Sequence, residues 1–406
     1  MKIAIIGNGI CGVSAAKSIT EISQKEEISI FADEKYHYYP RPLLDNLLLG
    51  KIGLDQIAVY KEEWYNRRNI KVFLEDRVTA FELSSKRLRA ERTGWHDYDK
   101  LLIAGGSASF IPAINGIDSE AVFTYRNIAD VLKVREYVRS KKKAVVLGGG
   151  LLGLEVARTL AKLGLSVTVI ERASRLLPRQ LDSEGAAILK SGIEKQYKIE
   201  VMLETTCESI LSEGPSKCAL SRKAGKIEAD LFVISSGIRP NIELANNSGL
   251  KVNNGILVDK NLRAGYDYVF AAGDCAEFNG VVYGIIPAAI EQAQAAASNI
   301  MGKALDYKGT IFQTTLKVVG FDLTSIGLIN PEVEGYEQVV KKDLDKGAYK
   351  KCVIRDGKLV GAIILGQKDG VSELAEIIKS GVLVSTNKGA LTESGDVLRE
   401  IFLQKA

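Results

Sequence analysis

Cysteine, histidine and net charge are scarce in this chain, and each scarcity removes a class of chemistry. The five cysteines among 406 residues (Cys11, Cys207, Cys218, Cys275 and Cys352) are odd in number and scattered. None forms a C-x-x-C pair or the spacing of a zinc or iron–sulfur site, so neither a disulfide framework nor a metal site is expected. The two histidines, His37 and His96, lack any ligand spacing and read as surface or loop residues. Lys and Arg total 54 against 50 Asp and Glu, a net charge of +4 with no long basic run. That balance gives no footprint for a nucleic acid, although a local basic patch can still dock an acidic partner. No apolar run approaches the roughly 20 residues that cross a bilayer. The longest candidate, from Val281 to Ala297, is broken by Gly284, Pro287, Glu291 and Gln292, so no membrane segment is expected. Met1-Lys2 leads through four apolar residues straight into Gly7-Asn8-Gly9, too short for a signal-peptide core, and the expected location is the cytosol.

What the chain has is length, apolar residues and glycine. At 406 residues, 46% of them hydrophobic, it is long enough for two or three packed cores. Residues Lys2 to Ile6 form a short apolar run ending in Gly7-Asn8-Gly9-Ile10-Cys11-Gly12 and then a small-residue helix start, which reads as strand, tight turn, helix. A second strand, Ile28 to Phe31, closes at Ala32-Asp33-Glu34. Asp33 lies 21 residues beyond Gly12, the distance at which a βαβ unit sets an acid beside a ribose.

The pattern returns. Ala144 to Leu147 precede Gly148-Gly149-Gly150-Leu151-Leu152-Gly153, a helix runs through Leu163, and a strand from Ser166 to Ile170 closes at Glu171, 18 residues beyond Gly153. One G-x-G-x-x-G is weak evidence; two, each between strand and helix and each with a spaced acid, point to two dinucleotide sites. Gly7 and Gly148 permit the tight turn, Gly9 and Gly150 let backbone approach a pyrophosphate, and Gly12 and Gly153 let the helix pack on the strand. Two sites in one redox chain imply two different carriers, and the economical pair is a flavin with a nicotinamide.

Each unit ends alike, the first with a strand into Ala104-Gly105-Gly106-Ser107, the second with a strand into Gly237-Ile238-Arg239-Pro240-Asn241. A later strand from Tyr268 runs into Gly273-Asp274-Cys275 and makes sense only if the chain returns to the first domain. From about residue 309 the character changes. Strands Lys351 to Ile354 and Leu359 to Ile364 meet at Asp356-Gly357, a strong hairpin signal, and a helix Val371 to Lys379 follows. The fold class is α/β: two Rossmann-like domains, the first discontinuous (1–107 and 242–308) with the second (108–241) inserted, plus a small C-terminal α+β domain (309–406).

These residues, together with Tyr39-Pro40-Arg41-Pro42-Leu43, Leu177-Pro178-Arg179-Gln180-Leu181-Asp182 and Leu316-Lys317-Val318, resemble the pyridine-nucleotide-dependent FAD oxidoreductases, specifically NADH:rubredoxin oxidoreductases and the flavin region of nitrite reductase large subunits. The resemblance covers essentially the whole chain. It implies FAD on the first loop, with Asp33 or Glu34 on the adenosine ribose, Arg41 and Pro42 near phosphate and flavin, and Asp274 on the ribityl chain. Val78, Ala104, Gly105, Gly106, Gly273 and Arg126 complete the expected cofactor-binding set. NADH is expected on the second loop, with Gly148, Gly150, Leu151, Gly153, Glu171 and Gly237. Glu171 favours NADH over NADPH because a carboxylate accepts hydrogen bonds from a ribose diol and repels a 2′-phosphate; Arg172 and Arg175 just beyond it pull the other way. Glu155, by the resemblance, points toward the nicotinamide and flavin, and Lys317 is a candidate for tuning the flavin. Blander readings stand beside these: an Asx-turn cap for Asp274, a solvated loop charge for Arg41, an exposed helix carboxylate for Glu155, a strand-flanking charge for Lys317. Three positions depart from the pattern: Ala32 where an acid often ends the strand, Gly105 for a usual threonine, and Asn46 where related ferredoxin reductases carry a lysine.

Hydride transfer from nicotinamide to flavin needs stacked geometry and a dipole near the flavin rather than an obligatory side-chain acid or base, and the helix starting after Pro287 can supply the dipole. Disulfide reductases of this fold need a cysteine pair beside the flavin and a histidine for the thiol proton, and peroxide-reducing relatives need one reactive cysteine in the loop around residues 40 to 46, where none stands. Nitrite reduction needs siroheme and iron–sulfur domains absent from these 406 residues. The expected activity is therefore NADH-dependent reduction of a small electron carrier, rubredoxin by resemblance. An NADH oxidase that reduces oxygen directly and a non-enzymatic NADH-dependent redox sensor are the alternatives. The oligomeric state stays open, with a monomer favoured.

Overall fold

The computed structural model describes every residue except 214, 215, 222, 385–387 and 404–406, and every described side chain except those of 212, 213, 216, 316–318 and 402. The chain divides into two compact units, Met1–Ala108 with Ile238–Thr310, and Ser109–Gly237 with Ile311–Ala406.

The first unit is built on a six-stranded sheet in the order Arg263–Tyr266, Val269–Ala271, Lys100–Ile103, Lys2–Ile6, Glu27–Phe31, Ile70–Phe73. The inner strands are parallel and in simple register, Ile5 opposite Ile30 and Leu102. Both faces of such a sheet are covered, which is why its strands read as unbroken apolar runs. Ile5, Ile30, Leu102 and Phe270 are completely buried, each contributing roughly 1.5–3 kcal/mol by its removal from water. The strand Val269–Ala271 lies parallel to Lys100–Ile103, so the chain does return to the first sheet after the second unit. Helix Ile10–Ile22 buries Cys11, Gly12, Val13, Ala15, Ala16 and Ile19, small residues that admit the equally small Ala289, Ala293 and Ala296 of helix Ile286–Ile300 into one core.

The second unit repeats the plan with five parallel strands in the order Glu200–Met202, Ser166–Ile170, Lys143–Leu147, Leu231–Ile234, Val122–Thr124. Helix Leu151–Lys162 follows its central strand. The same unit holds an antiparallel sheet in the order Gln313–Val318, Phe321–Gly327, Lys358–Leu365, Ala348–Arg355, Tyr336–Asp343. Helices Val371–Ser380 and Gly395–Leu403 pack on it through Leu374, Ile377, Leu398 and Ile401. The hairpin turn at Asp356 and Gly357 has φ of 50° and 72°, the left-handed pair that a two-residue connection requires. Ala348–Arg355 begins three residues before the strand expected from Lys351, because Tyr349 and Lys350 are buried in the sheet rather than left in a loop. Among the described residues no helix is long and apolar enough to cross a membrane.

Candidate functional site

In each unit the expected residues gather at one edge, where parallel strands end. In the first unit Lys2–Ile6 delivers Gly7, Glu27–Phe31 delivers Asp33 and Glu34, Lys100–Ile103 delivers Ala104, Gly105 and Gly106, and Val269–Ala271 delivers Gly273 and Asp274. This is the edge at which open α/β sheets bind ligands. Gly7 has φ 109°, and a Cβ there would stand 2.3 Å from the Ala104 carbonyl oxygen; at Gly12 it would stand 2.0 Å from the Gly7 carbonyl oxygen. At Gly9 it would meet nothing within 4 Å. The first and last glycines are thus fixed by close backbone packing, whereas the middle one faces open space beside the start of the helix. That start is capped by Gly9 with no side-chain hydrogen bond and no acid in its first turn, leaving N–H groups for an anion.

Asn8 sharpens this picture. Its Oδ1 accepts from the Tyr65 hydroxyl at 3.0 Å, and Tyr65 in turn accepts from the Tyr38 N–H at 3.3 Å. The buried Asn8 Nδ2 has no hydrogen-bond partner among the described residues. A buried amide donor without an acceptor is costly, and a phosphate oxygen in the loop would satisfy it. Glu34 accepts from the Tyr39 hydroxyl at 2.6 Å, and Asp33 is exposed. Asp274 accepts from the Ser107 hydroxyl at 2.6 Å. The turn before it is held from below, where the Gly273 N–H donates to Oε1 of the fully buried Gln292 at 2.8 Å. Asn241 donates to the Gly105 carbonyl at 2.8 Å. Arg41 and Pro42 lie exposed in a single 3-10 turn, Arg41–Leu43, and Val78 is buried at the start of strand Val78–Glu82, in one apolar cluster with Ile6, Phe31 and Ile103 at the strand ends.

The second unit presents the matching cradle. Gly148 has φ 122° with a Cβ position 2.2 Å from the Ser235 carbonyl oxygen, the Gly153 position falls 2.0 Å from the Gly148 carbonyl oxygen, and Gly150 opens onto space and caps helix Leu151–Lys162 without a side chain. Glu171, at the end of Ser166–Ile170, accepts from the Gly149 N–H at 2.7 Å through one carboxylate oxygen and from the Ala173 N–H at 2.7 Å through the other. Arg175 donates to the carbonyls of Leu181 at 3.2 Å and Pro178 at 3.4 Å, which turns its guanidinium into its own loop. Arg172 is exposed. Gly237, with φ 113°, follows Leu231–Ile234, and Arg126 follows Val122–Thr124, its N–H donating to Asp130 at 2.8 Å. Leu151 and Glu155 sit half-buried on the first turns of the helix. Lys317 lies on strand Gln313–Val318, and its side chain falls outside the described residues.

The sequence reading missed Asn8, Tyr65, Ser107 and Gln292. Asn8 alone had a local signal, a side chain able to bond lying between two loop glycines. Burial raises the pKa of four of the five thiols. Burial pushes Cys275 and Cys207 up to about 11 and Cys352 up to about 12, and burial raises Cys11 well above the ordinary thiol range. Among the described residues no group of histidine, cysteine or acidic side chains could hold a metal ion.

Comparison with known proteins identifies the family. The family model described as pyridine nucleotide-disulphide oxidoreductase matches residues 1–299, and that described as rubredoxin NAD+ reductase C-terminal domain matches residues 313–382. The chain is 34% identical over 386 residues to nitrite reductase [NAD(P)H] of Bacillus subtilis, covering 95% of this chain and 48% of that protein, so it spans about half that relative's length. It is 27% identical over 379 residues to NADH-rubredoxin oxidoreductase of Clostridium acetobutylicum, covering 93% of this chain and 94% of that protein. The crystal structure of NADH:rubredoxin oxidoreductase from C. acetobutylicum matches with a TM-score of 0.78 at 26% identity, over 98% of this chain and 99% of that one.

Proposed function

Because this chain belongs to the pyridine nucleotide-disulphide oxidoreductase family, we propose that it is an FAD-dependent NADH oxidoreductase that passes electrons singly to a small carrier protein, rubredoxin. The observation that carries the reading is the pair of glycine cradles, each with its outer glycines locked against backbone and its middle glycine open beside an uncapped helix start. Residues 1–107 with 242–308 are assigned to FAD, 108–241 to NADH, and 309–406 to the small C-terminal domain. Bound FAD supplies the conversion of a two-electron hydride into single electrons.

The protein's own part is to bind, orient and polarise. The loop N–H groups and the Asn8 amide hold the first pyrophosphate, Glu34 or Asp33 takes the adenosine ribose, and Asp274, steadied by Ser107 and by Gln292 beneath Gly273, takes the ribityl chain. Helix Ile286–Ile300, with Pro287 in its first turn and no acid there, offers a positive end. In the second cradle Glu171 is a carboxylate held at both oxygens with lone pairs to spare, a fixed negative charge that suits a ribose diol and opposes a 2′-phosphate. Arg175 spends its donors on its own loop carbonyls, which leaves the exposed Arg172 as the neighbouring cation that works against the preference for NADH. Thiols buried and pushed above their ordinary range argue against a cysteine relay, and the match to the rubredoxin NAD+ reductase C-terminal domain supports a carrier as acceptor.

The test follows NADH consumption by the FAD-loaded protein under limited oxygen, with and without rubredoxin, while rubredoxin bleaching is read in the same cuvette. Rubredoxin reduction is expected to outpace the oxygen rate by about a hundredfold, a barrier difference of about 2.7 kcal/mol. Equal rates with and without rubredoxin overturn the rubredoxin reading and turn the search to oxygen or another acceptor.

A further inference from the structure

Two consecutive lysines of strand Ala348–Arg355 are almost completely buried, Lys350 at 2% exposure and Lys351 at 4%. Burying an ammonium group is expensive unless it is paired, so each must have a partner. Successive side chains of a strand point to opposite faces, and the two partners accordingly lie on different sides. Lys350 Nζ donates to the Glu393 carbonyl at 2.7 Å, toward the C-terminal helices. Lys351 Nζ meets Asp182 Oδ2 at 2.9 Å, and its strand neighbour on the same face, Tyr349, donates its hydroxyl to the same oxygen at 2.6 Å. Asp182 also caps helix Ser183–Tyr197, its Oδ1 accepting from the Gly185 N–H at 2.9 Å.

Asp182 closes the segment that starts at Glu171, and that segment forms one wall of the second cradle. The Leu177 N–H donates to the Gly149 carbonyl at 3.2 Å, and a Cβ on Gly149 would fall 2.6 Å from Leu176 Cδ2. Leu177 is fully buried with φ 49°, a left-handed conformation that a leucine keeps only where its surroundings over-determine it. The Leu181 carbonyl accepts from Arg175 at 3.2 Å on one side and from Asn330 Nδ2 of the C-terminal domain at 3.1 Å on the other. A continuous set of packed and hydrogen-bonded groups therefore runs from the Gly149 loop through residues 175–182 to Asn330, Tyr349 and Lys351.

We infer that Tyr349 and Lys351 of the C-terminal domain are positioning residues for the nicotinamide-nucleotide site, holding through Asp182 the wall against which the Gly149 loop and Glu171 are set. The inference rests on the reading that the second cradle takes NADH. It gives the C-terminal domain a role in nucleotide affinity besides any role in meeting a carrier, and because coupling is reciprocal, nucleotide bound at the cradle stabilises the C-terminal domain in return.

The experiment is an equilibrium titration of the FAD-loaded full chain with ADP-ribose, together with NADH KM and kcat. Lys351→Met is expected to weaken ADP-ribose binding about tenfold and raise KM with kcat little changed, FAD content staying at the wild-type level, and Lys351→Arg to recover most of the loss. Lys350→Met, which disturbs the same strand on its other face, is expected to lower thermal stability while binding ADP-ribose as the wild type does. Wild-type affinity in Lys351→Met, or equal weakening in both lysine variants, overturns the inference by leaving only a general packing role. Should Lys351→Met fail to fold, Asn330→Ala decides: about threefold weaker binding supports the inference, and unchanged binding overturns it. A wild-type protein that does not bind ADP-ribose overturns the nucleotide reading itself, a result distinct from the others.

Discussion

The two glycine cradles share a backbone and differ in what fills it. Gly9 caps its helix at φ −81°, ψ −175°, and Gly150 caps its own at φ −79°, ψ −179°; the outer glycines press on equivalent carbonyls in both. Between the glycines stand Asn8 in one and Gly149 in the other. Asn8 reaches sideways to Tyr65 and keeps a buried amide donor in reserve, whereas Gly149 has only its N–H to give and donates it to Glu171. The acid of the second cradle is thereby tied to its loop, while Glu34 is bonded to Tyr39 and Asp33 stands in solvent. The glycine pattern sets the shape of a dinucleotide turn, and the residue between the first two glycines decides whether the loop or the strand-end acid is the better anchored element.

The strongest way to break the likeness is to fill the shared backbone. Gly12→Ala and Gly153→Ala each drive a Cβ to 2.0 Å from a carbonyl oxygen, so helix and strand must part. Gly12→Ala should yield protein largely without FAD and with a lower Tm. Gly153→Ala should retain FAD and slow flavin reduction by NADH at least a hundredfold, equivalent to about 2.7 kcal/mol. Flavin absorbance and anaerobic stopped-flow reduction separate the two outcomes, and loss of FAD in both variants would mean that the cradles are not independent sites.

A gentler pair sharpens the difference between the loops. Asn8→Gly removes the buried amide and frees Tyr65, and FAD should be released more easily, by roughly 1–2 kcal/mol in a dissociation titration. Glu171→Gln leaves an acceptor for one backbone N–H but removes the fixed charge. NADH affinity should fall and the preference over NADPH should shrink by about tenfold, measured as the ratio of the two kcat/KM values. An unchanged preference would show that Glu171 serves only to tether Gly149.

Much of this site is legible in the sequence because its geometry is local. Turn glycines, apolar strand runs and a strand-end acid at fixed distance are all set within about thirty residues, and Lys2–Ile6 and Ser166–Ile170 take the bounds the pattern gives them. The return of Val269–Ala271 to the first sheet is also readable, from the repeated strand and glycine ending. What escapes is held over long separations. Gln292 beneath Gly273, Ser107 on Asp274 and Lys351 on Asp182 join residues 19, 167 and 169 positions apart, and although local patterns mark Gly273, Asp274 and Asp182, none points to their partners. Buried lysines mislead most directly, since charge in a sequence reads as surface, yet Lys350 and Lys351 both lie inside strand Ala348–Arg355.

The smallest expected effect concerns one carboxylate in each unit, fully buried in the first and partly buried in the second, and it again turns on the likeness between them. In the first unit Asp76 is 1% exposed, and burial alone would raise its pKa; hydrogen bonds from the Thr93 hydroxyl and the Arg92 N–H outweigh that and hold it below the ordinary aspartate value of 3.8. In the second, burial of Asp182 is likewise outweighed by the Tyr349 hydroxyl, the Gly185 N–H and Lys351, and its pKa too lies below 3.8. A carboxyl with a folded-state pKa below its unfolded value adds stability that is fully present well above 3.8 and is lost as pH falls through the folded value. Thermal melts should therefore show Tm declining as pH drops below about 4, with Asp76→Asn flattening part of that decline and Asp182→Asn another part. At neutral pH both variants should melt lower than the wild type, because an amide cannot replace a carboxylate toward donors on both oxygens. Asp182→Asn should differ from Asp76→Asn in one further respect, a weakened affinity for ADP-ribose, since Asp182, unlike Asp76, joins Tyr349 and Lys351 to the segment packed on the Gly149 loop.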